Sequence, residues 1–255
     1  MDSDPLLSII TVSAFDHTRL SETLNSMVEL PGNVEHIVVT PRQDFNSVAL
    51  LQNMSFGHKQ NLRITYDANH GIYPAMNLGA EVARGKYLSF WNSGDSLVSL
   101  LALENLISSL AVSRPAWLIY NAIFDWREPM KLSSNDVENF LLNKKGAFIS
   151  HQAIVVSKLS FDSLGGFDTK YKVASDTAMI TKLYKTEKPL FFFSEVVRVE
   201  KPEFASRNHR TARLEIALIA ITTLTGNSRL KAVRNIFLGE YSRFRSKLRS
   251  RWMET

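Results

Sequence analysis

Leu88-Ser89-Phe90-Trp91-Asn92-Ser93-Gly94-Asp95 joins an apolar, strand-like run to a turn of small residues that ends in a carboxylate. In an α/β protein, ligands bind outside the carboxyl ends of the strands. Asp95 is therefore a candidate ligand for a divalent cation, because such cations combine one or two carboxylates with substrate phosphates. Taken alone, the pattern is more often an ordinary turn, in which Ser, Gly and Asp are common.

The sequence on both sides of this stretch alternates between strand and helix patterns. Apolar, β-branched runs predict strands, and apolar residues at helical spacing predict the segments between them. The predicted strands are 6–12, 35–40, 62–66, 86–91, 117–120 and 190–199, and the predicted helices are 17–30, 74–84, 98–110 and 175–184. This alternation predicts an α/β fold with a Rossmann-like, mostly parallel sheet flanked by helices. Residues 40–53 and 124–148 read as irregular segments over the binding face.

Composition excludes several classes of protein. The 255 residues contain no cysteine, which excludes disulfides, thiolate zinc sites and thiol catalysis. The N-terminus lacks the pattern of a signal peptide, and no apolar run approaches the ~20 residues of a membrane span, so we expect a cytoplasmic protein. Residues 207–255 hold 11 Lys and Arg against 3 Asp and Glu, a net charge of +8, whereas the whole chain has +5. We therefore predict no nucleic-acid partner, because the positive charge is confined to the tail.

The first predicted strand ends in a turn that excludes the most familiar ligands of such sheets. The turn is Ser13-Ala14-Phe15-Asp16-His17, without the glycines of Gly-x-Gly-x-x-Gly that let a backbone approach a pyrophosphate. The chain also lacks the phosphate-binding motif Gly-x-x-x-x-Gly-Lys-[Ser/Thr]. A dinucleotide-binding dehydrogenase and a P-loop enzyme are therefore both poor interpretations.

Five short motifs occur in order along the chain. They are Leu7-Ser8-Ile9-Ile10-Thr11-Val12, Gly71-Ile72-Tyr73-Pro74-Ala75-Met76-Asn77, Asn92-Ser93-Gly94-Asp95, Ser150-His151-Gln152-Ala153 and Tyr171-Lys172-Val173-Ala174-Ser175-Asp176. Together they resemble family 2 glycosyltransferases of the GT-A fold, particularly bacterial enzymes of colanic acid and exopolysaccharide assembly. The resemblance covers about residues 6–185. It implies inverting transfer of a sugar from a nucleoside diphosphate donor to a saccharide acceptor, assisted by Mg²⁺ or Mn²⁺.

The resemblance also assigns roles to individual residues. Asp95 matches the metal-binding carboxylate, and Asn92 and Gly94 stand where many relatives carry further Asp residues. Asp176 matches the catalytic base, although a helix cap is the alternative, since Asp is common at helix starts. His151 matches the acceptor side and Gln152 the donor phosphates, although a lone His is often structural.

Three further positions bear on the donor. Asn77 is expected to make donor or structural polar contacts. Thr40 stands where relatives carry the Asp that reads the nucleobase, with Asp44 as a possible substitute. Pro74 also replaces an Asp of the family pattern. These departures leave open a degenerate, non-catalytic homologue that acts as a binding or scaffold protein.

The basic tail carries a second pattern. Phe237, Tyr241, Phe244, Leu248 and Trp252 follow helical spacing with cations between them. Such a helix suits an anionic membrane surface, which each Lys or Arg favours by about 1 kcal/mol. We predict a catalytic domain over 1–206 and a helical extension over 207–255. The extension would bind the inner face of the cell membrane through 237–252, near a lipid-linked acceptor; a helix packed on the domain and a protein-binding site are the alternatives.

Overall fold

The computed structural model describes residues 4–54, 61–127, 132–142, 144, 148–201 and 208–236. Within these residues, eight strands form one sheet: β1 (Leu7–Val12), β2 (Val34–Pro41), β3 (Leu62–Asp67), β4 (Tyr87–Asn92), β5 (Ser96–Leu97), β6 (Trp117–Phe124), β7 (Ile154–Ser157) and β8 (Leu190–Val199). Their order is β3-β2-β1-β4-β7-β6-β8-β5. The first four strands in this order are parallel, while β7 runs antiparallel to both of its neighbours, β4 and β6.

Helices cover the sheet. They are α1 (His17–Ser26), α2 (Phe45–Gln52), α3 (Ile72–Val82), α4 (Leu100–Ser113), α5 (Ser134–Leu141), α6 (Lys158–Ser163), α7 (Ser175–Thr186) and α8 (His209–Thr223). A further helix spans 226–236. The predicted fold class, a mostly parallel sheet flanked by helices, is confirmed.

The apolar strands are buried on both faces of the sheet. In β1, Ile10 and Val12 join one core cluster, and Leu7 and Ile9 join another. This explains why the strand reads as an apolar run rather than an alternating pattern.

Helix α3 lies directly against β1 and β2. A Cβ atom at Gly79 would overlap Cγ2 of Ile10 and would lie 3.1 Å from Cγ2 of Val39. Only a glycine therefore allows this approach, which sets the height of α3 above the sheet. The first turn of α3 follows the end of β3 and lies at the carboxyl edge of the strands.

The segments predicted to be irregular contain helices. Helix α2 begins at the Asp44 cap, whose carboxylate accepts the N–H of Ser47 at 3.1 Å. Helix α5 begins at a capping box between Ser133 and Asp136. Both helices are eight residues long, and for these two segments the prediction of irregular structure was wrong.

The chain beyond β8 returns to the rest of the fold. Ile216 and Ile219 of α8 pack against Tyr171, Ala174 and Ala178, at and before the start of α7. In the described part of the chain, no helix has both the length and the apolar character required to span a bilayer. Residues 202–207 and 237–255, which include the predicted membrane segment 237–252, lie outside the described residues.

Candidate active site

A cleft of about 870 Å³ opens at the carboxyl ends of the parallel strands. Its walls come from the turns after β1 and β4, the last residue of β3, the first turn of α3, the residues before β7 and the start of α7. Six of the residues that line it carry the chemistry considered below: Asp67, Tyr73, Asn92, Asp95, His151 and Asp176.

Asp95 is almost completely buried beside this cleft, with 1 % of its surface exposed. Its Oδ2 accepts the backbone N–H of Asn92 at 2.7 Å, and its Oδ1 accepts that of Glu200 at 3.0 Å. Burial raises the pKa of the Asp95 carboxyl to about 6, and these two donors counter the rise only in part. Asp95 therefore ties the turn after β4 to the end of β8.

Gly94, in the same turn, lies directly against Glu200, which follows β8. Gly94 has φ +98°, and a Cβ atom there would overlap Oε2 of Glu200. The Glu200 carboxylate also pairs with Arg19, whose Nε lies 3.0 Å from Oε1. The space that an Asp at position 94 would need is thus filled by a carboxylate from a distant segment.

Asn92 bears on whether a cation fits here. Its Oδ1 is buried and has no hydrogen-bond partner among the described residues. Together with Asp95 it offers the oxygen donors that Mg²⁺ and Mn²⁺ take. Within the described ranges, no group of three His, Cys, Asp or Glu side chains could hold a metal. These two residues therefore suit a cation whose coordination is completed by donor phosphates and water.

Asp176 lies in the first turn of α7 and is 23 % exposed. Its Oδ1 accepts the N–H of Thr177 at 2.7 Å and lies 3.3 Å from the hydroxyl of Tyr73. Burial, reinforced by the charge of Asp176, raises the pKa of Tyr73 far above its ordinary value, so this phenol stays protonated. Asp176 is thus a supported carboxylate that the cleft still reaches.

The turn before β7 connects the two carboxylates. Nδ1 of His151 lies 3.5 Å from Oδ2 of Asp176, and the same imidazole lowers the pKa of Asp95 by its charge. Gln152 is buried, accepts the hydroxyl of Ser150 and hydrogen-bonds to Asp95. Nε2 of His151 is buried without a partner among the described residues. His151 and Gln152 therefore lie between Asp95 and Asp176.

Thr40 and Asn77 do not line the cleft. The Thr40 side chain is fully buried, and its hydroxyl has no hydrogen-bond partner among the described residues. Asn77 uses both ends of its amide on Phe167: Nδ2 donates to the Phe167 carbonyl at 2.8 Å, and Oδ1 accepts its N–H at 2.9 Å. These contacts favour the structural alternative for Asn77. Asp44 caps α2 and accepts the N–H of Phe15 at 2.6 Å, so its carboxylate is also engaged in local structure.

Sequence reasoning missed several residues of the cleft. Asp67 is the last residue of β3, and its Oδ1 is buried without a partner among the described residues. Its position at the end of a parallel strand is a signal that could have found it. Tyr73 lies in one of the five motifs but was given no role. Arg19 and Glu200 carry no comparable signal, because their roles depend on contacts with residues distant in sequence.

Known proteins are similar to this chain in sequence and in fold. No protein-family model matches the chain. The chain is 25% identical over 179 residues to the "PGL/p-HBAD biosynthesis glycosyltransferase" of Mycobacterium bovis (strain BCG / Pasteur 1173P2) and to that of Mycobacterium tuberculosis (strain ATCC 25177 / H37Ra), covering 68% of this chain and 67% of each relative. The chain is a glycosyltransferase.

Solved structures share its fold. S. aureus TarS 1-349 in complex with UDP superposes with a TM-score of 0.66 at 14% identity, over 92% of this chain and 72% of that one. The mannosyltransferase PcManGT from Pyrobaculum calidifontis, in complex with GDP-Man and Mn²⁺, superposes with a TM-score of 0.64 at 16% identity, over 92% and 69%. At these identities the likeness establishes the fold of this glycosyltransferase.

Proposed function

We propose that the chain transfers a sugar from a nucleoside diphosphate donor to a hydroxyl group of a saccharide acceptor, with inversion at the anomeric carbon. One observation carries the proposal. Two carboxylates, Asp95 and Asp176, line a single cleft at the carboxyl edge of the sheet, and the His151–Gln152 turn contacts both. A donor and an acceptor could therefore be held side by side.

Asp176 acts as the general base. As the acceptor oxygen attacks the anomeric carbon, the hydroxyl proton moves to the carboxylate of Asp176. The bond between that carbon and the diphosphate oxygen breaks, and the nucleoside diphosphate leaves with the bonding electrons. General-base assistance of this kind contributes about 10²- to 10⁴-fold. Tyr73, His151 and the Thr177 N–H orient the carboxylate.

The donor lies along the strand ends. The nucleobase binds near Asp67, whose unpartnered carboxylate oxygen would accept an N–H from the base. The diphosphate lies beside Asn92, Asp95 and Gln152. A Mg²⁺ or Mn²⁺ ion bound there would stabilise the negative charge of the leaving diphosphate. TarS in complex with UDP-GlcNAc and PcManGT in complex with GDP-Man and Mn²⁺ have the same fold, which supports a nucleotide-sugar donor and a divalent cation.

The acceptor is lipid-linked in this proposal, and the extension over 207–255 holds the enzyme at the inner face of the cell membrane. Leu214, Leu218 and Ile221 recur at helical spacing on α8, and each is exposed. Such a face can enter the boundary between headgroups and acyl chains. Three neighbouring cations, Arg229, Lys231 and Arg234, would favour anionic lipids.

Hydrolysis of UDP-, GDP- and dTDP-sugars in the presence of Mn²⁺ or Mg²⁺, monitored by NMR, tests the proposal. We expect the wild-type chain to cleave one donor slowly, with no cleavage after D95A. Replacement by D176N should lower the rate by about 10²-fold or more while nucleotide binding persists. D162N, at an exposed carboxylate on α6, is the matched control and should behave as wild type. Cleavage of no donor, or full activity of D176N, would contradict the proposal.

A further inference from the structure

The segment immediately before Asp176 is held by a residue of the C-terminal helix α8. Helix α7 begins after Ala174 without a side-chain cap of its own. Glu215 supplies the missing acceptor from outside: Oε1 accepts the N–H of Lys172 at 2.8 Å, and Oε2 accepts those of Val173 and Ala174, each at 2.9 Å.

This arrangement is strong for electrostatic reasons. Hydrogen bonds to an ionised acceptor are shorter and about twice as strong as neutral ones. A negative charge at the N-terminus of a helix also interacts favourably with the helix dipole. Ile216 and Ile219, on the same helix, pack against Tyr171, Ala174 and Ala178 and hold the carboxylate in place.

The same segment is held from the opposite side by Tyr73. Its hydroxyl lies 2.7 Å from the carbonyl of Val173 and 3.3 Å from Oδ1 of Asp176. The N–H groups before Asp176 thus bind Glu215, and a carbonyl of the same stretch binds Tyr73. Glu215 and Tyr73 therefore both restrain the backbone that presents Asp176 to the cleft.

We infer that Glu215 is a positioning residue for Asp176, so that helix α8 completes the active site. The inference rests on the proposed function, since it assigns Glu215 a role through the proposed base. Glu215 itself does not line the cleft. Its effect should therefore fall on the chemical step and leave nucleotide binding unchanged.

A double-mutant cycle on the full-length chain tests this role, with the donor that the wild type cleaves as the substrate. We expect E215A to lower kcat by about 10- to 100-fold, because a displacement of about 1 Å at a reacting group has effects of that size. The affinity for UDP or GDP should remain that of the wild type. E215Q retains one oxygen acceptor and should lose less. E104Q, at an exposed carboxylate on α4, is the control, and thermal melting of each variant verifies folding.

The decisive comparison is made in the D176N background. If Glu215 acts through Asp176, E215A should add little to the loss that D176N causes alone. An equal fold-loss in both backgrounds, or an unchanged kcat of E215A, would overturn the positioning role and leave the proposed function standing. A wild-type chain that cleaves no donor, or a fully active D176N, would instead refute the proposed function, and the positioning role with it.

Discussion

Nδ1 of His151 lies 3.5 Å from Oδ2 of Asp176. An imidazole so placed restrains the orientation of the carboxylate. We expect H151A to lower turnover of the cleaved donor by about 10- to 100-fold through misplacement of Asp176. H17A, at an exposed histidine of α1, should leave turnover unchanged. Steady-state kinetics would decide the matter, and equal turnover of the two variants would reduce His151 to a packing role.

Gly94 cannot accept a side chain without a local rearrangement. Its φ of +98° is unfavourable for other residues, and a Cβ atom would overlap the Glu200 carboxylate. We expect G94A to lower the free energy of unfolding by about 1–3 kcal/mol, measured by urea denaturation. G32A is the matched control, because nothing lies within 4 Å of its Cβ position. If both variants unfold at the same urea concentration, the contact with Glu200 does not constrain position 94.

His36, which does not line the cleft, makes the stability of the fold depend on pH. It is buried, its Nε2 lies 2.8 Å from Oγ1 of Thr11, and burial lowers its pKa from 6.5 to about 4. The unfolded chain therefore binds the proton more readily between these values. The contribution of neutral His36 to the free energy of unfolding is fully present above pH 6.5 and is lost as the pH falls through 4. That contribution amounts to about 3 kcal/mol at most.

Urea denaturation at several pH values tests this dependence. H36Q should have a flatter stability profile between pH 6.5 and 4 than the wild type. H17Q, at an exposed histidine, should keep the wild-type slope. Parallel profiles for the wild type and H36Q would show that His36 is not the titrating group.

Asn77 allows a donor contact to be separated from a structural one. Its two hydrogen bonds to Phe167 join α3 to the turn at Gly165 and Gly166. N77A should therefore cost about 1–3 kcal/mol of unfolding free energy, because both partners on Phe167 lose their acceptor or donor. KM for the cleaved donor should remain that of the wild type. A clear rise in KM without loss of stability would instead indicate that Asn77 contacts the donor.

The exposed face of α8 predicts lipid binding. Full-length protein should sediment with vesicles that contain anionic phospholipid and much less with purely zwitterionic vesicles. Replacing Leu218 by Ser should weaken this binding by up to about tenfold, the equivalent of the apolar burial lost. L101S removes an exposed leucine of α4 and should bind as wild type. Equal binding of both vesicle types would contradict an anionic surface as the partner.

The parts of the fold that could be predicted from the sequence share a physical basis. β1, β2 and β4 are buried on both faces, so their residues form apolar runs that need no tertiary information. Strand β7 has four residues and was missed, since so short a run has no distinguishable period.

The same distinction applies to the site. Asp95 and Asp176 could be placed because each lies in a local motif, whereas the contacts of Glu200 and Glu215 arise only when distant segments meet. The resemblance supplied positions for His151 and Gln152 that periodicity could not. Thr40 shows the limit of such a transfer, because its hydroxyl is buried away from the cleft to which the family pattern assigns it.

The reversed direction of β7 changes which end of a strand delivers ligand-binding groups. In β4 the cleft residues come after the strand, at Asn92 and beyond. Because β7 runs antiparallel to β4, its first residue lies at that same edge, and His151 and Gln152 reach the cleft by preceding their strand. If β7 were parallel to β4, these two residues would lie at the opposite edge of the sheet, where the parallel strands begin. In sheets with one inverted strand, the search for site residues must therefore include the residues on its amino side.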